Sequence, residues 1–409
     1  MTFERNLEKY AELAVKTGIN LQEGQELVVR APIAAIDLVR KITKIAYQAG
    51  AKQVYYDWYD HELMLTRLLY APEEALREYP SWEAEGQEEL AKRGAGFLII
   101  KTPELDLLKD VDPERIALDN KTTSEALHRS REYRMADKVS WNIIAFPTEK
   151  WAKKVFPDLD AKEALDKLWE TVFKMTRADR EDPVKAWEEH QKTLDEKLTY
   201  LNTKKYKKLH YKAPGTDLTI EFPDGYLWAG GAAPNEKGTM FFPNIPTEEV
   251  YTLPLKTGVN GTVASTKPLN YSGTLIEGIT MTFKDGRIVD FHAESGLEVL
   301  KRLIETDEGS HYLGEVALVP HNSPISESGL IFYNTLFDEN ASCHLAIGAA
   351  YPKCIEGGTE KTRDELDRLG VNKSITHVDF MIGSAELDID GITESGEREP
   401  VLRKGLWAF

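Results

Sequence analysis

The segment ELVVRAPIAAIDLVRKITKIAYQAGAKQVYYDWY, residues 26–59, decides how the first half of the chain folds. ELVVRA follows a turn at Glu23-Gly24 and reads as a strand, and QVYYDWY, rich in β-formers, reads as a second. Between them a helix is predicted from about Ala35 to Gln48, with Gly50 closing it as a C-terminal cap. Upstream, residues 2–16 read as a helix with Leu7, Tyr10, Leu13 and Ala14 on one face. Downstream come two short helical pieces, then GFLIIK from Gly96 as a third strand. A charged helix through ERIALDNKTTSEALHRSREYRMAD leads to a fourth strand in KVSWNIIAFPT, ending near Pro147. Alternating strands and helices predict a parallel sheet with crossover helices, an α/β domain. No G-x-G-x-x-G follows the first strand and no G-x-x-x-x-G-K-[ST] occurs, so nucleotide binding is unsupported.

Two helices follow, AKEALDKLWETVFKMTRA from Ala161 and DPVKAWEEHQKTLDEKLTYLN from Asp182, the second with Pro183 in its first turn. From about Leu209 the texture changes to period-two alternation, in LHYKAPGTDLTIEF, TLIEGITMTFKDGRIVDFHAE and HVDFMIGSAELDIDG. Lys284-Asp285-Gly286-Arg287 is a hairpin signal, and helices are expected near GLEVLKRLIETD and DENASCHLAIG. The chain therefore divides into an α/β domain with bridging helices, residues 1–200, and a β-rich α+β domain, residues 201–409.

A chain of 409 residues exceeds one ordinary core, which agrees with two domains. Its net charge of -17 argues against nucleic acid and against an anionic membrane surface as partners. The short basic run Lys204, Lys205, Lys207 and Lys208 is read as a solvated face. Two cysteines, Cys343 and Cys354, give no disulfide framework, which suits a reducing cytosol. MTFERNLEKYAELAVKTGIN is charged throughout, unlike a signal peptide, and no apolar run is long enough to span a bilayer. The expected location is the cytoplasm.

The stretch HYLGEVALVPHNSPISESGLIFYNTLFDENASCHLAIGAAY, residues 311–351, sets ionisable groups among apolar ones. Such groups are expensive to bury unless compensated, and a metal compensates them directly. Neither a G-x-S-x-G elbow nor an HExxH pair occurs. Cys343 beside His344 points about 100° away if the segment is helical, so it reads as a small buried residue. Four elements remain. In FPNIPTEEVYTLP, residues 242–254, Glu248 and Glu249 interrupt an apolar extended segment, and only one can face inward. On a strand through HYLGEVAL, His311, Leu313 and Glu315 would share a face. On a helix through DENASCHLAIGAAY, Asn340, His344, Ile347 and Tyr351 form one stripe, with Glu339 just before it. On a strand through THVDF, His377 and Asp379 share a face. Each has a bland alternative in a solvated carboxylate or a satisfied core residue. Together they match in number the carboxylates and imidazoles of a two-metal hydrolase.

FPNIPTEEVYTLP, GEVALVP, FDENASCHLAIGAAYP, THVDFMIG and the earlier AFPTEKWAKKVFP resemble the thermophilic-type metallo-aminopeptidases, a likeness that spans the chain. The resemblance implies a cytosolic exopeptidase, homodimeric, that acts on peptides with a free N-terminus. It also implies two divalent metal ions per subunit, with zinc, cobalt, manganese or magnesium as candidates. By motif, the metal ligands fall on Glu249, Glu315, His344, His377 and Asp379, and an active-site tyrosine on Tyr351. The expected arrangement has Glu315 bridging, Glu249 and Asp379 on one metal, and His344 and His377 on the other. Glu339 is a candidate base. A metal-dependent hydrolase of another amide or ester, or a non-catalytic small-molecule-binding protein, would also accommodate these residues.

Overall fold

The computed structural model describes residues 3–103, 107–108, 110–271 and 274–409. They form two compact units, Met1–His190 with Ala232–Pro246, and Gln191–Gly231 with Thr247–Phe409. In the first, β1 (Glu26–Pro32), β2 (Gln53–Tyr59), β3 (Gly96–Lys101) and β4 (Trp141–Ala145) make a parallel sheet ordered β2-β1-β3-β4. Parallel neighbours need crossovers, and the helix Ile36–Gln48 supplies the first, burying Leu38, Val39 and Ile42. The chain ends that helix and reverses through Gly50 at φ 94°.

The helix expected over residues 2–16 is α-helical from Phe3 to Glu12, then continues in wider π turns from Leu13 to Ile19. Residue 2 lies outside the described residues. Leu7, Tyr10, Leu13 and Ala14 are all buried, and Tyr10 Oη donates to the Ala145 carbonyl at 2.9 Å, tying the helix to β4. The single charged helix expected from Glu114 is instead two, Pro113–Ala126 and His128–Met135. They break at Leu127, which is buried while no residue of the first helix is, so an apolar anchor interrupts the axis.

The second unit stacks two antiparallel sheets. Its larger sheet uses β5 (Lys208–Ala213), β6 (Thr216–Glu221), β8 (Val259–Ala264), β9 (Thr280–Lys284) and β10 (Arg287–His292). It is completed by β14 (Asp388–Ile392), β15 (Arg398–Arg403) and β16 (Leu406–Trp407), in the order β10-β9-β8-β6-β5-β14-β15-β16. The Asp285-Gly286 hairpin closes β9 on β10, with both turn residues at positive φ, as this tight turn requires. The smaller sheet uses β7 (Val250–Thr252), β11 (Leu313–Leu318), β12 (His344–Gly348) and β13 (His377–Met381), ordered β13-β12-β11-β7. Leu218, Ile220 and Ile389 of one sheet and Val250, Leu345 and Phe380 of the other fill a common core.

Two sequence expectations change here. The helix expected through DENASCHLAIGAAY is confined to Thr335–Asp338 and a 3-10 turn, Glu339–Ala341; HLAIG is the strand β12. Every residue of β12 is buried, so its sequence lacks the polar alternation that marks a strand with one wet face. The stripe of Asn340, His344, Ile347 and Tyr351 therefore does not form: Ile347 joins the core and His344 points to the other face.

Nor do His311, Leu313 and Glu315 share a face. His311 ends the short helix Glu308–His311. Leu313 pairs with Ile347 and Glu315 with Ala346, so Gly314 is an extra residue in β11. Leu313, Val316 and Leu318 all enter the core. Strict alternation would have sent Glu315 there beside Leu313; the bulge turns it to the opposite face. A Cβ on Gly314 would lie 2.2 Å from the Ala349 carbonyl oxygen and 2.3 Å from that of Gly348. Gly314→Ala should therefore lower stability by about 1–3 kcal/mol through overpacking. Urea denaturation checks this, and an unchanged midpoint with unchanged slope would show that the bulge tolerates a side chain.

Candidate metal centre

The face of the smaller sheet turned away from the core carries the titratable groups. The side chains directed there come from Glu249 and Tyr251 at β7, Glu315 on β11, His344 on β12, and His377 and Asp379 on β13. Between them lie Ala317, Ala346 and Gly348, whose small size leaves space above the sheet. Antiparallel pairing sets the lateral register: Glu315 is opposite Ala346, which is opposite Asp379, while Gly348 is opposite His377.

The polar ends converge in two groups that share Glu315. Glu249, Glu315 and His344 form one, and Glu315, His377 and Asp379 the other, each with ligand atoms within 4.8 Å of one another. His344 Nε2 is 3.0 Å from Glu249 Oε2 and 3.5 Å from Glu315 Oε1. His377 Nε2 is 3.5 Å from Glu315 Oε2 and 3.5 Å from Asp379 Oδ1. The two oxygens of Glu315 thus serve different groups, the geometry of a bridging carboxylate. Each group pairs one imidazole with one terminal carboxylate. The expected division put the two carboxylates at one position and the two histidines at the other; the side chains instead cluster as Glu249 with His344 and His377 with Asp379, on opposite sides of Glu315.

Backbone carbonyls orient both imidazoles. His344 Nδ1 lies 3.0 Å from the Ser342 oxygen, and His377 Nδ1 lies 2.7 Å from the Ala349 oxygen. Each carbonyl can only accept, so each Nδ1 carries a hydrogen, and in the neutral imidazole Nε2 presents a lone pair to the carboxylates. A lone pair facing an anion is unfavourable without a cation between them. Glu249 Oε2 and Asp379 Oδ1 are, moreover, buried with no aligned hydrogen-bond donor.

Without a metal the cluster would have to hold protons instead. Burial pulls the His344 imidazole down, but Glu249 and Glu315 outweigh it and hold it well above the ordinary histidine range. For His377, burial is likewise overcome by Asp379 and Glu315, which push it up to about 10. Burial raises the Glu315 carboxyl against the lowering effect of both histidines. Burial raises the Asp379 carboxyl, but the charge and hydrogen bond of His377 together with the His344 charge hold it below its ordinary value. The donor set, carboxylate oxygen with imidazole nitrogen, fits zinc, cobalt or manganese. Residues and chemistry fit a metal.

Glu339 lies on the 3-10 turn Glu339–Ala341. Burial, then the charges of Asp379 and Glu249, drive its carboxyl well above the usual range. The Tyr351 ring centroid is 4.8 Å from that of His377. Burial followed by the Glu315 and Asp379 charges raises its phenol well above the usual tyrosine value, so it stays protonated. His311 and His321 belong to neither group; His321 Nδ1 meets Ser326 Oγ at 3.0 Å. Cys343 faces the core, and burial raises its thiol to about 11.

The structure adds residues that local pattern did not disclose. Glu248 and Glu249 are both buried, against the expectation that only one turns inward. The chain before β7 is not an extended strand there, and the Glu248 N–H donates to Asn340 Oδ1 at 2.7 Å. Asn340 Nδ2 donates in turn to the Leu336 carbonyl at 2.9 Å. This fully buried amide braces the Glu249 segment against the turn that carries Glu339. Tyr251, two residues beyond Glu249, places its ring 6.1 Å from that of Tyr351; the period of two in EEVYT would have placed it on the Glu249 face.

Comparison with known proteins agrees along the whole length. Residues 3–407 match the family model for thermophilic metalloprotease (M29). Aminopeptidase 2 of Geobacillus stearothermophilus is 58% identical over 407 residues, covering 100% of this chain and 98% of that protein. Aminopeptidase T of Thermus thermophilus is 44% identical, covering 99% of each chain. The solved structure of wild-type AmpT from Thermus thermophilus superposes with a TM-score of 0.94 at 43% identity, covering 100% of both chains. A family match from end to end, with relatives at this level of identity, establishes that the chain belongs to the thermophilic metalloprotease (M29) family.

Proposed function

We propose that this protein is a metal-dependent aminopeptidase that releases single residues from the free N-termini of peptides. The observation that carries the reading is the pair of donor groups sharing Glu315, in a chain whose relatives are named aminopeptidases. In this reading Glu249 and His344 would hold one divalent cation and His377 and Asp379 a second, with Glu315 available to both. Cations bound there would supply Lewis acidity toward the scissile carbonyl and lower the pKa of a bound water toward neutrality.

The chain's own groups do the rest. Tyr351, kept protonated by its buried, anionic surroundings, donates a hydrogen bond to the oxyanion that develops on the scissile carbonyl. Glu339, whose carboxyl is raised by burial and by the neighbouring anions in the absence of cations, would be ionised once cations offset those charges, and then takes the proton from the water and passes it to the leaving amine. With Glu339, the carboxylates number four, so two divalent cations and two neutral imidazoles balance the charge. The catalytic role falls to the β-rich domain at 201–409. We take the enzyme to be a cytoplasmic homodimer: neither cysteine forms a disulfide and both are buried, which suits a reducing compartment, and the family resemblance supports the dimer. No helix among the described residues is long and apolar enough to cross a membrane.

Glu315→Ala and His377→Ala should each abolish peptide turnover and lower bound divalent metal, with the circular dichroism spectrum retained. Full activity in either variant after chelation and metal return would remove these residues from the site. Tyr351→Phe should reduce kcat by about 10²–10³, as loss of an oxyanion donor does, while metal content stays at the wild-type level. An unchanged kcat would rule out that role. Finally, acetylating the N-terminus of a good peptide substrate should stop its cleavage. Equal turnover of the free and acetylated forms would point instead to a hydrolase of another amide, and absence of hydrolysis together with absence of metal to a binding protein.

A further inference from the structure

The metal centre leaves unused a group of three guanidinium side chains in the first unit. Arg30 lies in the carboxyl-terminal half of β1, opposite Asp57 of β2 and two residues beyond Val28 on the same sheet face. The helix His128–Met135 carries Arg131 and Arg134 one turn apart. Arg134 Cζ lies 5.4 Å from the ring centroid of Phe97, the β3 residue opposite Val28. Arg30 Cζ lies 5.4 Å from the Tyr59 ring. The cations therefore gather over one face of the parallel sheet, Arg134 above the amino-terminal part of β3 and Arg30 in the carboxyl-terminal half of β1.

Their partners are too few. Arg30 pairs with Asp57 at 2.5 Å, and Arg131 donates to Ser124 Oγ at 3.2 Å. Among the described residues no carboxylate forms an ion pair with Arg131 or Arg134. Arg134 Nε is shielded from solvent with no hydrogen-bond partner. Tyr79, whose hydroxyl donates to Glu83 Oε1 at 2.8 Å, completes the surroundings. Burial and then the charges of Arg131 and Arg30 push the Arg134 guanidinium down to about 10, the mark of cations held together at a disadvantage. The chain has 68 acidic residues with which to neutralise such a cluster, yet among the described residues only Asp57 forms an ion pair with it.

Position gives a second reason. The strand order β2-β1-β3-β4 changes direction between β1 and β3, and open parallel sheets take ligands outside the carboxyl ends of their strands at such a switch point; Arg30, in the carboxyl-terminal half of β1, lies on that side. Guanidinium forks match carboxylate and phosphate oxygens in geometry as well as in charge. We propose that Arg30, Arg131 and Arg134 form a binding site for a small oxyanion, either the terminal carboxylate of a peptide or a phosphate, distinct from the donor groups around Glu315.

Isothermal titration of the full-length protein tests this with three probes: inorganic phosphate, an N-acetylated dipeptide with a free carboxylate, and the same dipeptide as its C-terminal amide. Phosphate or the free-carboxylate dipeptide should bind and the amide should not; whichever binds identifies the source of the oxyanion. Arg134→Gln should weaken that binding by about tenfold or more, as expected for loss of a hydrogen bond to a charged group. Arg134→Lys, which keeps the charge without the fork, should weaken it less. Should Arg134→Gln fail to fold, as judged by circular dichroism, Arg131→Gln decides in its place. If neither anion binds the wild-type protein, or if the folded glutamine variants bind as wild type does, the proposal is overturned.

Discussion

Like charges buried side by side are the constraint on which the rest of the second unit depends. Glu249, Glu315 and Asp379 converge on two imidazoles on one face of a four-stranded sheet whose other face is hydrophobic core. Carboxylates placed so are unfavourable unless cations or protons lie among them. The protein therefore needs a rigid platform to hold them. The larger antiparallel sheet supplies it, sharing a continuous apolar core with the smaller one. Residues whose backbone is fixed on two or three sides by hydrogen-bonded neighbours cannot relax apart, which is how a strained polar cluster keeps its geometry.

Small departures from regular structure aim the side chains. The extra residue Gly314 rotates Glu315 out of the core while leaving Leu313 and Val316 in it. The Ser342 and Ala349 carbonyls fix which nitrogen of each histidine carries hydrogen. Asn340 braces the Glu249 segment through main-chain contacts. None of these residues belongs to the two donor groups, yet each determines where a donor atom sits. Orientation by such surrounding contacts commonly tunes a metal site as strongly as the identity of its ligands.

Much of the fold was legible because its signals are local. The four strands of the parallel sheet, the helix Ile36–Gln48 and the Asp285-Gly286 hairpin all follow from short-range composition and turn chemistry. β12 was misread as a helix because it is buried on both faces, so HLAIG lacks the alternation that distinguishes strand from helix. Glu248 and Glu249 could not be separated locally, and the structure shows why: both are buried, in a segment that is not an extended strand. Asn340 was placed on a stripe that does not exist, and its role as a brace depends on the Glu248 main-chain N–H, 92 residues away in sequence.

By itself, the sequence determined the residue types: enough carboxylates and imidazoles in apolar surroundings for a metal centre, and an α/β half followed by a β-rich half. It also carried, through long motifs, the likeness to a family that the comparisons then established. Only the tertiary structure decided which atoms meet. Glu249 and Asp379 are 130 residues apart, and strand pairing brings both beside Glu315. That pairing groups Glu249 with His344 and His377 with Asp379, because antiparallel register is set by hydrogen bonds between distant segments. Spacing along a chain fixes which face a residue occupies within one strand; it does not fix which strand lies alongside, or where a single inserted glycine reverses that face.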